Sequence, residues 1–252
     1  MRFLLYNIAY GTGAPRSHTH GAFTIHRYLR SCRHHMKFLG RFIKRTNPDM
    51  VGLVEFDGGS FRTGGVNHAA QFARTLKHNY TYSSKYHRHS MARWLPLLRH
   101  QGNALFSKQS MQNCENFYLP LGFKRLVMGM KIAGVRVFLV HLALNRHTRR
   151  QQLDLLADVV SQFDEPVILA GDFNTMQGIS ELDQLISKTG FRNANPRGIA
   201  TYPAWNPRKQ LDFILVSNDI KVRDFSVFSR IRLSDHLPLM LDFETPSTHN
   251  AN

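Results

Sequence analysis

The stretch PVILAGDFN, Pro166 to Asn174, decides the fold. Val167, Ile168, Leu169 and Ala170 form an apolar run long enough for a strand buried on both faces, and Gly171 is expected to end it by letting the backbone turn. Asp172 and Asn174 follow one pleat apart, so the carboxylate and the carboxamide share a side if the backbone stays extended. Such a pair suits a phosphoryl site, and it suits an ordinary turn equally well.

Immediately upstream, Thr148 to Gln151 reads as a capping box, and Leu153, Leu156, Val160 and Phe163 give the helix that follows a buried stripe. Before that, KRLVMGMKIAGVRVFLVHLAL is a β-hairpin turning at Ala133 and Gly134. On its second arm Val135, Val137, Leu139 and His141 share a face, which leaves His141 as either a satisfied core residue or a catalyst.

Nearer the N-terminus, RFLLYNI alternates as a strand, with Phe3, Leu5 and Asn7 on one face and Leu4, Tyr6 and Ile8 on the other. Residues 9–24 have the glycine, proline and hydroxyl content of a loop. From about His26 to Arg45, Met36, Leu39, Phe42 and Ile43 recur at helical spacing until Pro48 intervenes. VGLVEFDGG then reads as a second buried strand, carrying Glu55 at its end. An unpaired buried carboxylate is costly, so Glu55 is either exposed at a rim or a metal ligand.

Residues 68–77 suit a short helix. In the next segment Tyr80, Tyr82, Tyr86 and Trp94 interleave with Lys85, Arg88, Arg93 and Arg99. That pattern suits base stacking beside a charged groove, an interfacial membrane patch, or a plain edge strand and loop. QGNALFS leads back into a strand. Downstream of the opening stretch, Ser180 to Thr189 reads as a capped helix ended by Gly190, LDFILVS as a strand with Asp212 near its start, and RLSDHLPLMLDF as a loop holding Asp235 and His236 before a closing strand.

The chain has 252 residues and 42% hydrophobic content, enough for one large packed domain, expected over 1–245 with a polar tail at 246–252. Lys and Arg outnumber Asp and Glu by 33 to 17, a net charge of +16 that favours polyanionic partners, either nucleic acid or an anionic membrane surface. The apolar stretch at the N-terminus is too short for a signal peptide or a membrane span, which makes the cytoplasm the expected location. Cys32 and Cys114 are too few for a scaffold, and both are expected as reduced thiols.

Strands alternating with helices imply an α/β fold, and ligands in such folds gather where strands end. Asn7, Glu55, Asp172, Asn174, Asp212, Asp235 and His236 all fall near strand termini. Glu55 and Asp235 offer hard oxygen ligands for Mg²⁺ or Mn²⁺; Asp172 can orient or deprotonate water, and asparagine amides can hold phosphate oxygens without adding charge.

Taken in order, YNIAYGTG, PDMVGLVEFD, GNALFS, LVHLAL with RRQQL, VILAGDFN, LDFILVS and SDHLPL resemble the endonuclease/exonuclease/phosphatase superfamily, from Arg2 to about Phe243. The GDFN and SDH blocks are the most specific, and the likeness is poor from Gly58 to His100. The resemblance implies two packed mixed β-sheets flanked by helices, a four-layer α/β sandwich of the deoxyribonuclease-I-like kind. It further implies Glu55 as principal metal ligand with Asn7 and Asp235 beside it, Asp172 positioning or activating water, and Asn174 binding the scissile phosphate. His236, oriented by Asp212, would polarise a phosphate oxygen or move a proton, and His141 would neutralise the phosphate or assist the leaving group. The implied chemistry is metal-assisted hydrolysis of a phosphoester, with Mg²⁺ or Mn²⁺ as cofactor and a monomer expected. Nucleic acid is the favoured substrate on charge; a sphingomyelin-like or inositol phosphate at a membrane is the alternative, and a basic binding module with a vestigial site is the third reading. After GDFN the chain lacks the histidine and acidic run that marks the abasic-site repair branch, which argues against damage-specific repair.

Overall fold

The computed structural model describes residues 1–13, 33–59, 67–85, 100–122 and 124–245. Its first sheet contains β1 (Arg2–Asn7), β2 (Met50–Asp57), β3 (Asn79–Ser84), β4 (Gln101–Ser107), β11 (Lys221–Val227) and β12 (Leu239–Glu244), in the order β11-β12-β1-β2-β4-β3. The second contains β5 (Met111–Tyr118), β6 (Leu126–Ile132), β7 (Val135–His141), β8 (Val167–Asp172), β9 (Arg192–Asn193) and β10 (Asp212–Val216), in the order β5-β6-β7-β8-β10-β9. Both sheets are mixed: β1 and β2 run parallel, as do β7 and β8, and the other pairs are antiparallel.

Alternation along the strands produces the layers. Phe3 and Leu5 of β1 face the second sheet and meet Val137, Leu139, Ile168, Ala170 and Ile214 in a core between the sheets. Leu4, Tyr6 and Ile8 point the other way, onto Met36, Leu39 and Ile43 of α1 (Arg33–Thr46) and Phe72 of α2 (His68–Leu76). On the outer face of the second sheet, Phe138, Val140, Leu169 and Phe213 pack against Leu153, Leu156 and Val160 of α3 (Arg146–Val160) and Leu185 of α4 (Asp183–Thr189). Each fully buried leucine or phenylalanine contributes roughly 1.5–3 kcal/mol, so a strand apolar on both faces is held from both sides. A strand slipped by one residue would exchange its two faces, which fixes where the polar residues at strand ends emerge.

Several local expectations need correction. Gly171 does not end the strand: it lies within β8, where a Cβ would sit 1.9 Å from the Val140 carbonyl oxygen of β7. Close approach of two backbones demands glycine here, so Gly171→Ala should destabilise the protein by about 3 kcal/mol, at the upper end for overpacking. A lowered midpoint in urea at unchanged slope is the readout. Helix α3 starts before the expected capping box, because the Asn145 side chain takes the cap position and accepts from the Thr148 N–H at 3.0 Å. Ser180 likewise caps nothing; a 3₁₀ turn at Ile179–Leu182 leads into α4, which Gly190 closes in a left-handed conformation (φ 69°). The hairpin turns at Ala133 (φ 49°) and Gly134 (φ 82°), as expected for a two-residue loop.

In the Tyr80–Arg99 segment, Tyr80 and Tyr82 lie on β3, the edge strand of the first sheet. Tyr80 stacks on Phe106, while Tyr82 packs against Phe56 and donates its hydroxyl to the His100 carbonyl at 2.7 Å. Tyr86, Arg88, Arg93, Trp94 and Arg99 lie outside the described residues, as do most of the loop at 9–24, Cys32, the start of the His26 helix and the tail at 246–252. Cys114 is a free, exposed thiol on β5. Among the described residues no helix is long and apolar enough to cross a membrane.

Candidate active site

Strand register brings the polar ends together. His141 ends β7 beside Asp172, which ends the parallel strand β8; Asp212 opens β10, whose antiparallel course sets it opposite Asp172 on the other side. Three side chains far apart in sequence thus stand abreast on one rim. The first sheet supplies the facing rim: Asn7 ends β1 in register with Val54, so Glu55 follows directly beyond it on β2. Strand β12 runs antiparallel to β1 with Leu239 opposite Leu5, which puts the preceding Asp235 and His236 at the same edge.

Asp172 is the common partner. Its Oδ2 accepts from Asn7 Nδ2 at 3.0 Å and lies 3.3 Å from His141 Nε2 and 3.9 Å from His236 Nε2. Its Oδ1 accepts from the backbone N–H of Asn174 at 3.0 Å, which turns the chain; Asn174 has a φ of 53°, so the extended geometry expected for this pair is not formed. The Asn174 carboxamide instead donates to the Leu142 carbonyl at 2.8 Å. Asn7 is held in place by accepting from the Ala9 N–H at 3.0 Å.

The two histidines are tuned in opposite directions. His236 Nδ1 lies 2.8 Å from Asp212 Oδ2, which also accepts from the Thr201 hydroxyl at 2.6 Å. Burial opposes its charge, but Asp212 and Asp172 outweigh burial and push the imidazole up to about 10. His141 goes the other way, lowered first by burial and then by the neighbouring Lys124 ammonium, so it is neutral at pH 7. Burial would raise Asp172, yet the charge of His236 and the hydrogen bond from His141 hold it well below the usual carboxylate range. The rim therefore offers a fixed carboxylate between one cationic and one neutral imidazole.

Glu55 sits at a register shift between β2 and β4, with a φ of 55°, and a bulge of this kind re-aims a side chain. Its Oε1 lies 3.6 Å from Lys124 Nζ and 3.8 Å from His141 Nε2, and Lys124 Nζ also contacts His141 Nε2. Asp235 is raised above its ordinary value by burial, with His236 opposing and the negative charge of Glu55 adding to the rise. Two carboxylates that repel one another, with Asn7 on the neighbouring strand, bring together the oxygen chemistry that suits a hard divalent cation, and an ammonium already stands against Glu55. Asp172, Asp212 and His236 also place ligand atoms within 4.8 Å of one another. In that trio His236 Nδ1 is already engaged by Asp212 Oδ2 at 2.8 Å.

The structure thus gathers Asn7, Glu55, His141, Asp172, Asp212, Asp235 and His236 at one edge and sets Asn174 behind them. Sequence reasoning missed Lys124, Thr201 and Tyr202, whose ring lies 4.9 Å from that of His236. Lys124 stood in plain view at the head of an apolar strand, but a lysine there reads as a solvated flank.

The model of the Endonuclease/Exonuclease/phosphatase family matches residues 4–236. A UPF0294 protein of Yersinia pseudotuberculosis is 32% identical over 118 residues, covering 46% of this chain and 44% of that protein, so the match spans less than half the relative's length. Among solved structures, an endonuclease/exonuclease/phosphatase from Bacteroides vulgatus superposes with a TM-score of 0.69 at 16% identity, covering 97% of this chain and 98% of that one. A mannosyl-6-phosphatase of Bacteroides thetaiotaomicron gives 0.69 at 14% identity, with 97% and 99% covered. A D. rerio TDP2 humanised by 14 mutations gives 0.68 at 13%, with 97% and 99% covered. At such identities the likeness concerns the two-sheet fold, while the family model reaches from β1 to His236; the chain belongs to the endonuclease/exonuclease/phosphatase family.

Proposed function

We propose that this chain is a divalent-metal-dependent phosphodiesterase acting on nucleic acid. The observation that carries the reading is the convergence on Asp172 of a cationic and a neutral imidazole, with Glu55 alongside and Lys124 and Lys85 on the flank, in a chain of net charge +16. Glu55, with Asp235 and Asn7, would hold Mg²⁺ or Mn²⁺, which when bound polarises a phosphate oxygen. Asp172, kept ionised, accepts a hydrogen bond from the attacking water and orients it toward phosphorus. His236, fixed by Asp212, donates from Nε2 to a phosphate oxygen as negative charge builds there. Lys124 balances charge on the opposite side, where the neutral His141 can offer only a hydrogen bond, and the second amide hydrogen of Asn174 serves a phosphate oxygen. The mannosyl-6-phosphatase among the structural neighbours acts on a sugar phosphate, at an identity too low to direct the substrate here.

The test is a turnover panel with Mg²⁺ or Mn²⁺ over plasmid DNA, RNA, sphingomyelin vesicles, phosphoinositide vesicles and bis(p-nitrophenyl) phosphate. Nucleic acid and the chromogenic diester are expected to be cleaved, and EDTA to stop both. DNA affinity should fall at least about tenfold between 50 and 200 mM salt, because phosphate contacts release counterions. Cleavage confined to lipid vesicles, or a flat salt dependence, overturns the nucleic-acid assignment.

A further inference from the structure

Beside the rim lies a small, partly open cleft whose lining includes Tyr10, Lys85, Asn103, Lys124, Arg125 and His141. It runs from the candidate active site, at His141 and Lys124, to two residues that the mechanism above does not need, Tyr10 and Lys85. Lys85 is not a loose surface side chain. Its backbone N–H donates to the Gln101 carbonyl at 3.0 Å, continuing the β3–β4 pairing, and its Nζ donates to the Tyr10 hydroxyl at 2.9 Å. The same ammonium stands 5.2 Å from the centre of the Tyr10 ring. Tyr10 is itself buried, in a left-handed turn (φ 54°) two residues after Ile8, so the contact joins the exit of β1 to the end of β3.

The charge in this cleft is one-sided. Its described lining holds three cations, Lys85, Lys124 and Arg125, and no carboxylate. Glu55 acts on Lys85 from outside that lining and already faces Lys124. Burial pushes the Lys85 amine down to about 8, with Glu55 opposing and Lys124 adding to the fall, so an anion entering the cleft would restore what burial removes. Phosphate suits such a cluster: an ammonium presents three donors, a guanidinium a fork, and the phenol a further hydroxyl.

We propose that Lys85, Tyr10, Lys124 and Arg125 form a subsite for a second phosphate of the substrate, adjacent to the one being cleaved. The inference rests on the phosphodiesterase reading and deepens it, since a strand carries a phosphate on every nucleotide whereas an isolated diester carries none to spare. The occupant is the neighbouring phosphate of a polynucleotide; a ring phosphate of an inositol has the same chemistry and is separated from it below.

Isothermal titration in EDTA, where no turnover intrudes, compares thymidine 3′,5′-bisphosphate with thymidine 5′-monophosphate. The bisphosphate is expected to bind at least tenfold more tightly to the wild-type protein. That ratio should fall to within twofold of unity in Lys85→Met and in Lys85→Gln, and persist in Lys85→Arg. A wild-type ratio near one, or a ratio unchanged by both neutral variants, overturns the subsite. A parallel arm with myo-inositol 1,4-bisphosphate against the 1-phosphate, discriminating more strongly than the thymidine pair, overturns the strand assignment. Because binding is read without catalysis, failure here is distinct from failure of the turnover panel.

Discussion

Asp172→Asn is expected to lower metal-dependent turnover about 10³-fold while leaving the folded structure intact, within the range of about 10²–10⁴ for a positioned acid–base group. The substitution keeps the shape of the side chain and removes its charge. One oxygen can still accept from the Asn174 N–H, so the turn after β8 survives. The new amide nitrogen then lies where Oδ2 stood, 3.0 Å from another amide nitrogen on Asn7 and 3.3 Å from His141 Nε2, so donors face donors. His236 loses one of the carboxylates that hold its proton, with Asp212 and Asp235 remaining, and water loses its acceptor. A circular-dichroism melt near that of wild type, together with kcat on bis(p-nitrophenyl) phosphate, separates the chemical effect from unfolding. A variant keeping more than about a tenth of the wild-type kcat would remove Asp172 from the centre of the mechanism.

The parts of this site that could be read from sequence share one property: a polar residue closing a strand that is otherwise apolar. Asn7, Glu55, His141 and Asp172 each break a hydrophobic pattern at its end, and buried strands tolerate such a break only at a rim. Asp212, Asp235 and His236 open strands or precede them, and the antiparallel pairing of β10 and β12 returns them to that rim. What left no pattern was missed. Strand β5 escaped notice because Gln112, Asn113, Cys114, Glu115 and Asn116 are exposed on an edge, where no burial imposes alternation. Strands β9 and β11 lie at the opposite edges and are equally unmarked. Helix α3 was foreseen with the wrong cap, since Asn145 and Thr148 both carry capping chemistry and only the backbone geometry selects between them. Lys124 was invisible as a site residue, and Lys85, although part of the basic aromatic pattern, could not be placed beside the rim, because their partners, Glu55 and Tyr10, come from distant strands and turns.

Arg149 lies in the RRQQL block, yet nothing in the sequence marked it as buried, and its loss should cost the most stability. On a helix it reads as part of the polar face, yet it is fully buried on α3. Its Nη1 donates to the carbonyls of Ala143 at 3.0 Å and Leu144 at 2.8 Å, just past β7; Nη2 reaches Gln177 Oε1 at 2.8 Å, and Nε reaches Glu181 Oε2 at 2.9 Å. The guanidinium thereby ties the chain after His141 to the chain after Asn174, two segments that carry rim residues. Gln152, one turn along, extends the clamp by accepting from the Ala143 N–H and donating to the Leu121 and Lys124 carbonyls. Arg149→Met keeps the apolar stem but strands two carbonyls and a carboxylate, so about 3–5 kcal/mol should be lost, as when one partner of a buried pair is removed. For a chain of this size that corresponds to a fall in melting temperature of roughly 10 °C. Replacing Glu181 by leucine as well should recover part of the loss, since the stranded charge goes with it. A melting temperature within about 2 °C of wild type for Arg149→Met would mean that the segments flanking β7 and β8 are held by hydrophobic packing alone.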